Sequence, residues 1–564
     1  MKRVLSLLVF ALIAVGVRGG AALPVTVIPV TAPHGMVVAA HPQAAAAGVE
    51  ILKRGGNAID AAVAVALSLG VAEPYGSGLG GKLMLLYFEA KTGRVYAIDA
   101  LDAAGSALDV DAYRKLPSDA RSYGYTAVCV PGLAAGLWTA HQKWGVQRWA
   151  DDVAPAIQLA REGFEILAKS RDQFDEQRVK LRRGDPEIAR LYLPGGELPV
   201  VGSRLKNDDL AHTLALLASH GRDGFYRGEV AEKIVSAAER GGGVLTRDDF
   251  ARYEARLAEC TTVDFQGYRL VCAPPPALGP AIFLPILKAL EGEPLVAPLR
   301  TAASLDAIGR LWRIADVQGH RLIGDDPAAG ATLEKMLSPG AVRALRDQVA
   351  APPGAPKKSA GLLEPTPAEV LGSTTHWLVA DAHGNLVCAT QSLSLHFGAG
   401  VVAPGTGVVL NDTMSDFNFT DSRNPNFVAP ARRPRSTLAP TLVFRGDRLR
   451  FALGVPGGAR ITTAVLQVLL DRLVFQRSLA DAIGDTRIHY VAPTAVTNVE
   501  SFEAEASLPP ETAAGLKARG WKVVLPEEPG RGRHFGGVNA IEFNADGTLT
   551  GYADPRRTNV AVGY

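Results

Sequence analysis

A small polar pair, Ser373-Thr374, stands immediately before the run Thr375-His376-Trp377-Leu378-Val379-Ala380, which reads as a buried β-strand. The character of the chain changes there. Upstream it is mostly helical with a few short strands, and downstream it turns to β-hairpins. Thr375 to Ala380, a turn at Asp381-Ala382-His383-Gly384-Asn385 and Leu386 to Gln391 make one hairpin. Leu438 to Phe444, Gly446-Asp447 and Leu449 to Leu453 make another, and Ile461 to Phe475 follows as an amphipathic helix. Val496 to Glu500, Val523 to Leu525 and Val538 to Phe543 complete a second β region. Helices and antiparallel hairpins in separate runs, without an internal repeat, predict a layered α+β fold rather than a doubly wound sheet.

Upstream, Met36 to Ala40 reads as a strand and Pro42 to Lys53 as an Ala-rich helix stopped by Gly55-Gly56. Asn57 caps a second helix that is apolar nearly all round, so both helices are expected to be buried between layers. Gly76-Ser77-Gly78-Leu79-Gly80-Gly81-Lys82 looks like a phosphate loop but fails on context. Such a loop follows a strand and opens a helix, whereas these glycines follow a helix and lead into the strand Leu83 to Phe88. A tight backbone turn is the better reading. Pro131 to Leu217 is helical in pattern, including an amphipathic stretch from Pro155 to Leu167 with Pro155 in a first turn. A further helical stretch runs from Asp223 to Arg240. Val263 to Cys272 forms a hairpin about Gly267, Pro274-Pro275-Pro276 a turn, and Ala281 to Leu290 a helix. Residues 351–367, rich in Pro, Ala and Lys, read as an exposed linker just upstream of the junction.

A net charge of +2 gives no reason to expect nucleic acid as a partner. Cys129, Cys260, Cys272 and Cys388 show no metal-ligand spacing. Cys260 and Cys272 lie across a hairpin, and spacing alone leaves open whether they are bonded. Met1-Lys2-Arg3, the apolar run Val4 to Val17 and the small residues to Ala22 have the layout of a secretory signal, 1–22. The protein is therefore expected to be exported, either periplasmic or secreted. His376, His383 and His396 do not share a face at ligand spacing, so no metal site is expected, and no cofactor is expected either. Asp151-Asp152 and Glu527-Glu528 read as solvated charges.

A threonine hydroxyl is a weak nucleophile and needs a base. The α-amino group of the same residue serves, with a reference pKa of about 7.7, if that residue is N-terminal. Attack of Thr374 on the Ser373 carbonyl, followed by hydrolysis of the ester, would create that terminus, making Ser373 and Thr374 a processing site. Taken alone, the pair reads as an ordinary polar strand entry.

Its surroundings change the balance. Thr374-Thr375-His376 with Asp381, Gly384-Asn385, Phe397-Gly398, Asn411 and Asp416-Phe417 resembles the gamma-glutamyltransferase family of N-terminal nucleophile hydrolases. So do Arg433-Pro434-Arg435-Ser436-Thr437, Pro456-Gly457-Gly458-Ala459-Arg460, and earlier Gly55-Gly56-Asn57-Ala58-Ile59-Asp60 and Gly78-Leu79-Gly80-Gly81. The resemblance implies a four-layer αββα sandwich of two antiparallel sheets flanked by helices. It implies maturation into fragments 23–373 and 374–564 that stay associated. It implies Thr374 as nucleophile, Gly457 and Gly458 as oxyanion donors, and Ser392 as hydrogen-bond partner of the new amine. Ser394, Thr413, Asp416, Ser436 and Thr437 fall at its substrate-binding positions. The substrate would be a small-molecule amide, glutathione-like among the candidates, whose acyl group passes to water or an acceptor amine.

One position departs from the pattern. The arginine that clamps a donor carboxylate in the family is replaced by Leu101, and Arg432, Arg433 and Arg435 are candidate substitutes. Ser394 and Thr413 stand where the family carries Asn and Gln. The rival readings are an acylase of non-glutamyl specificity, with a less polar pocket around Leu101, and a binding relative that turns nothing over.

Overall fold

Alternating side chains along the strands sort the molecule into layers. In Ser373–Ala380, Trp377 and Val379 join one apolar cluster while Leu378 and Ala380 join another. The same alternation splits Val37 and Ala39 from Met36 and Val38, and Val443 from Leu442 and Phe444. Because strand side chains alternate with period two, each strand feeds two cores at once. Leu378, Leu86 and Cys388 meet Leu442, Phe444 and Ile541 in the middle core, so that cluster is the seam between two sheets. The outer faces are covered by helices, giving four layers, αββα. The computed structural model of the chain describes residues 25–292, 299–350, 372–491, 501–525 and 535–564.

Both large sheets have seven strands, and their pairings are antiparallel. The first sheet runs Val560–Gly563, Met36–Ala39, Ser373–Ala380, Leu386–Ser394, Lys82–Glu89, Arg94–Ala100, Arg256–Ala258. The second runs Val30–Ala32, Leu549–Ala553, Asn539–Phe543, Arg448–Gly454, Thr441–Arg445, Tyr268–Cys272, Thr261–Phe265. Each sheet contains strands from both sides of residue 373, so neither part of the chain completes a sheet alone.

The helix Ala58–Ala72 is buried at every residue but Gly70 and starts with a capping box between Asn57 and Asp60. The glycines after it form the expected turn, for a reason of close approach. A Cβ on Gly80 would lie 2.0 Å from the Val409 carbonyl oxygen, and one on Gly81 2.3 Å from that of Ser392. This fit seats Lys82 at the head of the next strand.

Several expectations need correction. The helix around Pro155 runs Trp149–Glu162, with the proline inside it, and Phe164–Glu165 is a short strand. A buried face of Trp149, Val153, Ala156 and Ala160 carries the helix through the missing N–H, because packing supplies most helical stability. Asp152 lies on that face, three residues from Trp149 and four from Ala156, and is fully buried; only Asp151 of the pair is solvated. The stretch from Asp223 to Arg240 breaks at Arg227-Gly228 into two helices. The strand expected from Leu438 begins at Thr441. The pairing of Cys260 and Cys272, left open by their spacing, is not made: both are free thiols. Residues 1–22, 351–367 and 496–500, and Glu527-Glu528, lie outside the described residues. Among the described residues, no helix is long and apolar enough to cross a membrane.

The seam between the sheets is closely packed around Leu378, which has no exposed surface. Leu378→Ala should lower stability by roughly 2–5 kcal/mol. The measurement is the urea midpoint, with the slope unchanged if the native state stays compact.

Candidate active site

Thr374 lies where the pairing of the two central strands slips. Ser373 pairs with Ser394 and Thr375 with Gln391, so two steps on one strand face three on the other. A bulge of this kind bends the ladder and re-aims the side chains beside it. Ser394 closes it with φ at +77°, a left-handed conformation that non-glycine residues seldom adopt.

The neighbours of Thr374 are held in place. Arg557 donates to the Thr374 carbonyl at 2.9 Å, and the Thr375 hydroxyl donates to Glu73 at 2.6 Å. Glu73 also accepts from the Tyr75 hydroxyl at 2.9 Å. Burial pushes the Glu73 carboxyl above its ordinary range, against the opposing pull of Thr375, Tyr75 and Arg557. The Ser392 hydroxyl donates to the Ser373 carbonyl at 2.6 Å and accepts from the Ser394 N–H at 3.0 Å. Its one proton is thereby used, so in the 3.2 Å contact between Thr374 Oγ1 and Ser392 Oγ the threonine is the donor.

Thr374 opens onto a pocket lined by Lys82, Gly372, Ser392, Ser394, Asp416, Arg435, Ser436, Thr437, Leu438 and Gly458. Three walls are distinct. Gly458 belongs to the turn between Arg448–Gly454 and the helix Arg460–Leu473, with Gly457 at φ 141° and Gly458 at φ 60°. That puts backbone near a helix start, where amide N–H groups are in excess. Arg435, Ser436 and Thr437 form a donor-rich wall.

The third wall is acidic and is already occupied. Lys82 Nζ donates to Ser394 Oγ at 2.5 Å and to Asp416 Oδ2 at 2.6 Å. Ser394 donates to Asp416 at 3.0 Å and lies 3.2 Å from the Thr413 hydroxyl, which donates to Asp102 at 2.6 Å. Burial alone would lower the Lys82 pKa, but Asp416 and Asp102 outweigh it and hold the ammonium above its ordinary value. Asp102 is pushed up to about 7 by burial, against the Lys82 charge.

The structure therefore gathers Thr374, Ser392, Ser394, Asp416, Ser436, Thr437 and Gly458 around one space, with Ser373, Gly457 and Thr413 directly adjoining. Leu101 is fully buried in the core behind the second sheet and does not line the pocket, which corrects the expectation that it shapes the site. Of the three candidate arginines, Arg433 is buried against Asp99 at 2.9 Å and Arg432 reaches the Asp325 carbonyl. Arg435 is the one on the pocket wall. His376 is a core residue, its ring against Gly454 and its pKa lowered to about 3 by burial.

Sequence reasoning missed Lys82, Glu73 and Arg557 as site residues. Lys82 did leave a signal, because it opens an apolar run, Leu83 to Phe88, that is buried on both faces. A metal-ligand grouping was also missed. Among the described residues, Asp60, His141 and Asp152 bring ligand atoms within 4.8 Å of one another. None of the three lines the pocket.

An αββα sandwich with a polar pocket at the head of a central strand has the architecture of the N-terminal nucleophile hydrolases. The chain superposes on the cephalosporin acylase from Bacillus halodurans with a TM-score of 0.83, at 26% identity, over 95% of this chain and 97% of that one. The chain belongs to the gamma-glutamyltranspeptidase family, whose model matches residues 44–564. It is 32% identical to the glutathione hydrolase proenzyme of Pseudomonas sp. strain A14, over 95% of each chain. It is 35% identical to the acylase ACY 1 proenzyme of Pseudomonas sp. strain V22, over 93% of this chain and 92% of the relative. The protein is thus an N-terminal nucleophile amidohydrolase.

Glu73 is the shared acceptor of two buried hydroxyls beside Thr374. Glu73→Ala should cost about 1–3 kcal/mol by stranding them. Glu73→Gln, whose amide still reaches both, should cost less. Parallel urea titrations of the two variants measure the difference.

Proposed function

We propose that the protein is an exported, self-processing amidohydrolase in which Thr374 cuts its own chain and then serves as the catalytic nucleophile. The observation that carries this reading is the arrangement at the bulge. Thr374 Oγ1 faces the pocket while the Ser392 hydroxyl donates to the Ser373 carbonyl at 2.6 Å, polarising the bond to be broken.

In maturation, Thr374 Oγ1 adds to the Ser373 carbonyl carbon. The C–N bond breaks as the nitrogen takes up the proton, leaving an ester between Ser373 and Thr374. Water hydrolyses the ester, freeing a carboxylate on Ser373 and both the amine and the hydroxyl of Thr374. In turnover, the amine takes the hydroxyl proton as Oγ1 attacks a donor amide. Charge on the tetrahedral oxygen is met by the Gly457 and Gly458 N–H groups. The intermediate collapses to an acyl-enzyme, and the leaving amine departs with the proton. Water or an acceptor amine then takes the acyl group. Fragments 23–373 and 374–564 remain one body because each sheet draws strands from both.

The donor is a small-molecule amide, as the names of the relatives suggest. A second reading, an acylase of non-glutamyl specificity, is favoured by Lys82, whose ammonium already occupies Ser394 and Asp416.

Intact-mass analysis of folded protein should give two fragments meeting between Ser373 and Thr374. Thr374→Ala should leave one chain and no amidase activity, and activity surviving that change would sink the mechanism. Ser392→Ala, which removes the hydroxyl polarising the Ser373 carbonyl, should slow cutting by on the order of 100-fold, followed as the fragment ratio over time. A protein that cuts itself yet releases amine from no γ-glutamyl or non-glutamyl anilide would point to a binding relative instead.

A further inference from the structure

We propose that Asp60, His141 and Asp152 form a structural binding site for one divalent transition-metal ion of the zinc type, which clamps three helices of an outer layer together. The site is independent of the Thr374 reading.

The three side chains come from three helices, Ala58–Ala72, Leu133–Trp144 and Trp149–Glu162. Asp60 and Asp152 are fully buried, and His141 is 7% exposed. His141 Nε2 lies 3.2 Å from Asp152 Oδ2 and 3.7 Å from Asp60 Oδ1. Zinc holds imidazole nitrogen and carboxylate oxygen at about 2.0–2.2 Å, so neighbouring ligand atoms on a tetrahedral ion stand about 3.3 Å apart. The two spacings bracket that value. The Gln147 carbonyl oxygen, 3.1 Å from the same nitrogen, supplies a fourth donor at similar range. One imidazole with oxygen donors suits zinc-type ions.

The two carboxylates differ in how they are held. Asp60 Oδ1 accepts from the Val146 and Gln147 N–H groups at 2.9 and 3.3 Å, and Oδ2 accepts from the Asn57 N–H at 2.8 Å. Neither oxygen of Asp152 accepts a hydrogen bond. A buried carboxylate in that condition is costly. A protonated His141 would bring one charge to two carboxylates, and its Nε2–H is directed to the Gln147 carbonyl. A divalent cation meets both carboxylates at once. With the ion on Nε2, the ring proton sits on Nδ1. The Gln142 amide is 3.4 Å from Nδ1 and, turned over, accepts that proton through its oxygen. Metal-bound imidazoles usually make such a second contact. His141 and the loop 145–148, where Val146 is exposed, bring the site close to solvent and give the ion a way in.

Cobalt(II) is the probe, because the four-coordinate ion absorbs visible light far more strongly than the hydrated one. Folded protein stripped with a chelator should take up one equivalent of Co2+ with a new visible band, and Zn2+ should displace it. Zinc itself should bind with Kd below about 1 μM and raise the melting temperature by at least about 2 °C. Asp152→Asn keeps the shape and removes the charge. It should abolish the cobalt band and weaken zinc binding by on the order of 100-fold. If Asp152→Asn does not fold, zinc-edge anomalous scattering from wild-type crystals decides, with a peak expected within about 2.3 Å of His141 Nε2. No uptake by the wild-type protein, uptake unchanged in Asp152→Asn, or an anomalous peak only elsewhere overturns the site and leaves the three residues a buried ion-pair cluster.

Discussion

The structure depends on how two adjacent strands, Ser373–Ala380 and Leu386–Ser394, pair at the centre of one sheet. Over most of their length the register is regular, and it feeds apolar side chains into the cores on both faces. At its open end the ladder slips, and Thr374 leaves the alternation that its neighbours obey. A central strand in a buried sheet is a rigid mount, because its hydrogen bonds and packing are satisfied on all sides. Placing the irregular residue at the end of such a strand holds its side chain firmly at the pocket rather than in an apolar core. The supports around it follow from that position: Arg557 on the Thr374 carbonyl, Glu73 on Thr375, and Ser392 on Ser373.

The pocket is an exercise in charge placement at low dielectric. A buried carboxylate or ammonium is costly unless it is paired and hydrogen-bonded. Lys82, Asp416, Asp102, Ser394 and Thr413 meet that condition together, and removing any one strands the rest. The recess therefore has a fixed occupant rather than an open demand for a ligand cation. The chain's relatives include both glutathione hydrolase and acylase proenzymes.

Much of the frame was legible from residues alone. The hairpin about Gly384, the strand-turn-strand at Gly267, the cap at Asn57 and the close-packed glycines before Lys82 are local features whose causes lie within a few residues. Errors arose where distant packing overrode local preference. Pro155 lies inside a helix because the face that includes Trp149 and Val153 is buried, and Asp152 is buried because it shares that face. Leu101 was read as a specificity residue from its place in a motif, yet three-dimensional structure puts its side chain in a core and gives the pocket wall to Arg435.

The sequence by itself determined the fold class, the strand that follows Ser373-Thr374 and the family to which its motifs belong, because each of these is written in short stretches of fixed spacing. Only the tertiary structure decided what surrounds the junction. Lys82 and Asp416 are 334 positions apart, and Arg557 and Thr374 are 183 apart. No local pattern links such pairs, since their meeting depends on how the two sheets bring distant turns and strands together. The strand that Thr374 heads could thus be read along the chain, while the charge of the pocket it faces was settled by tertiary contacts.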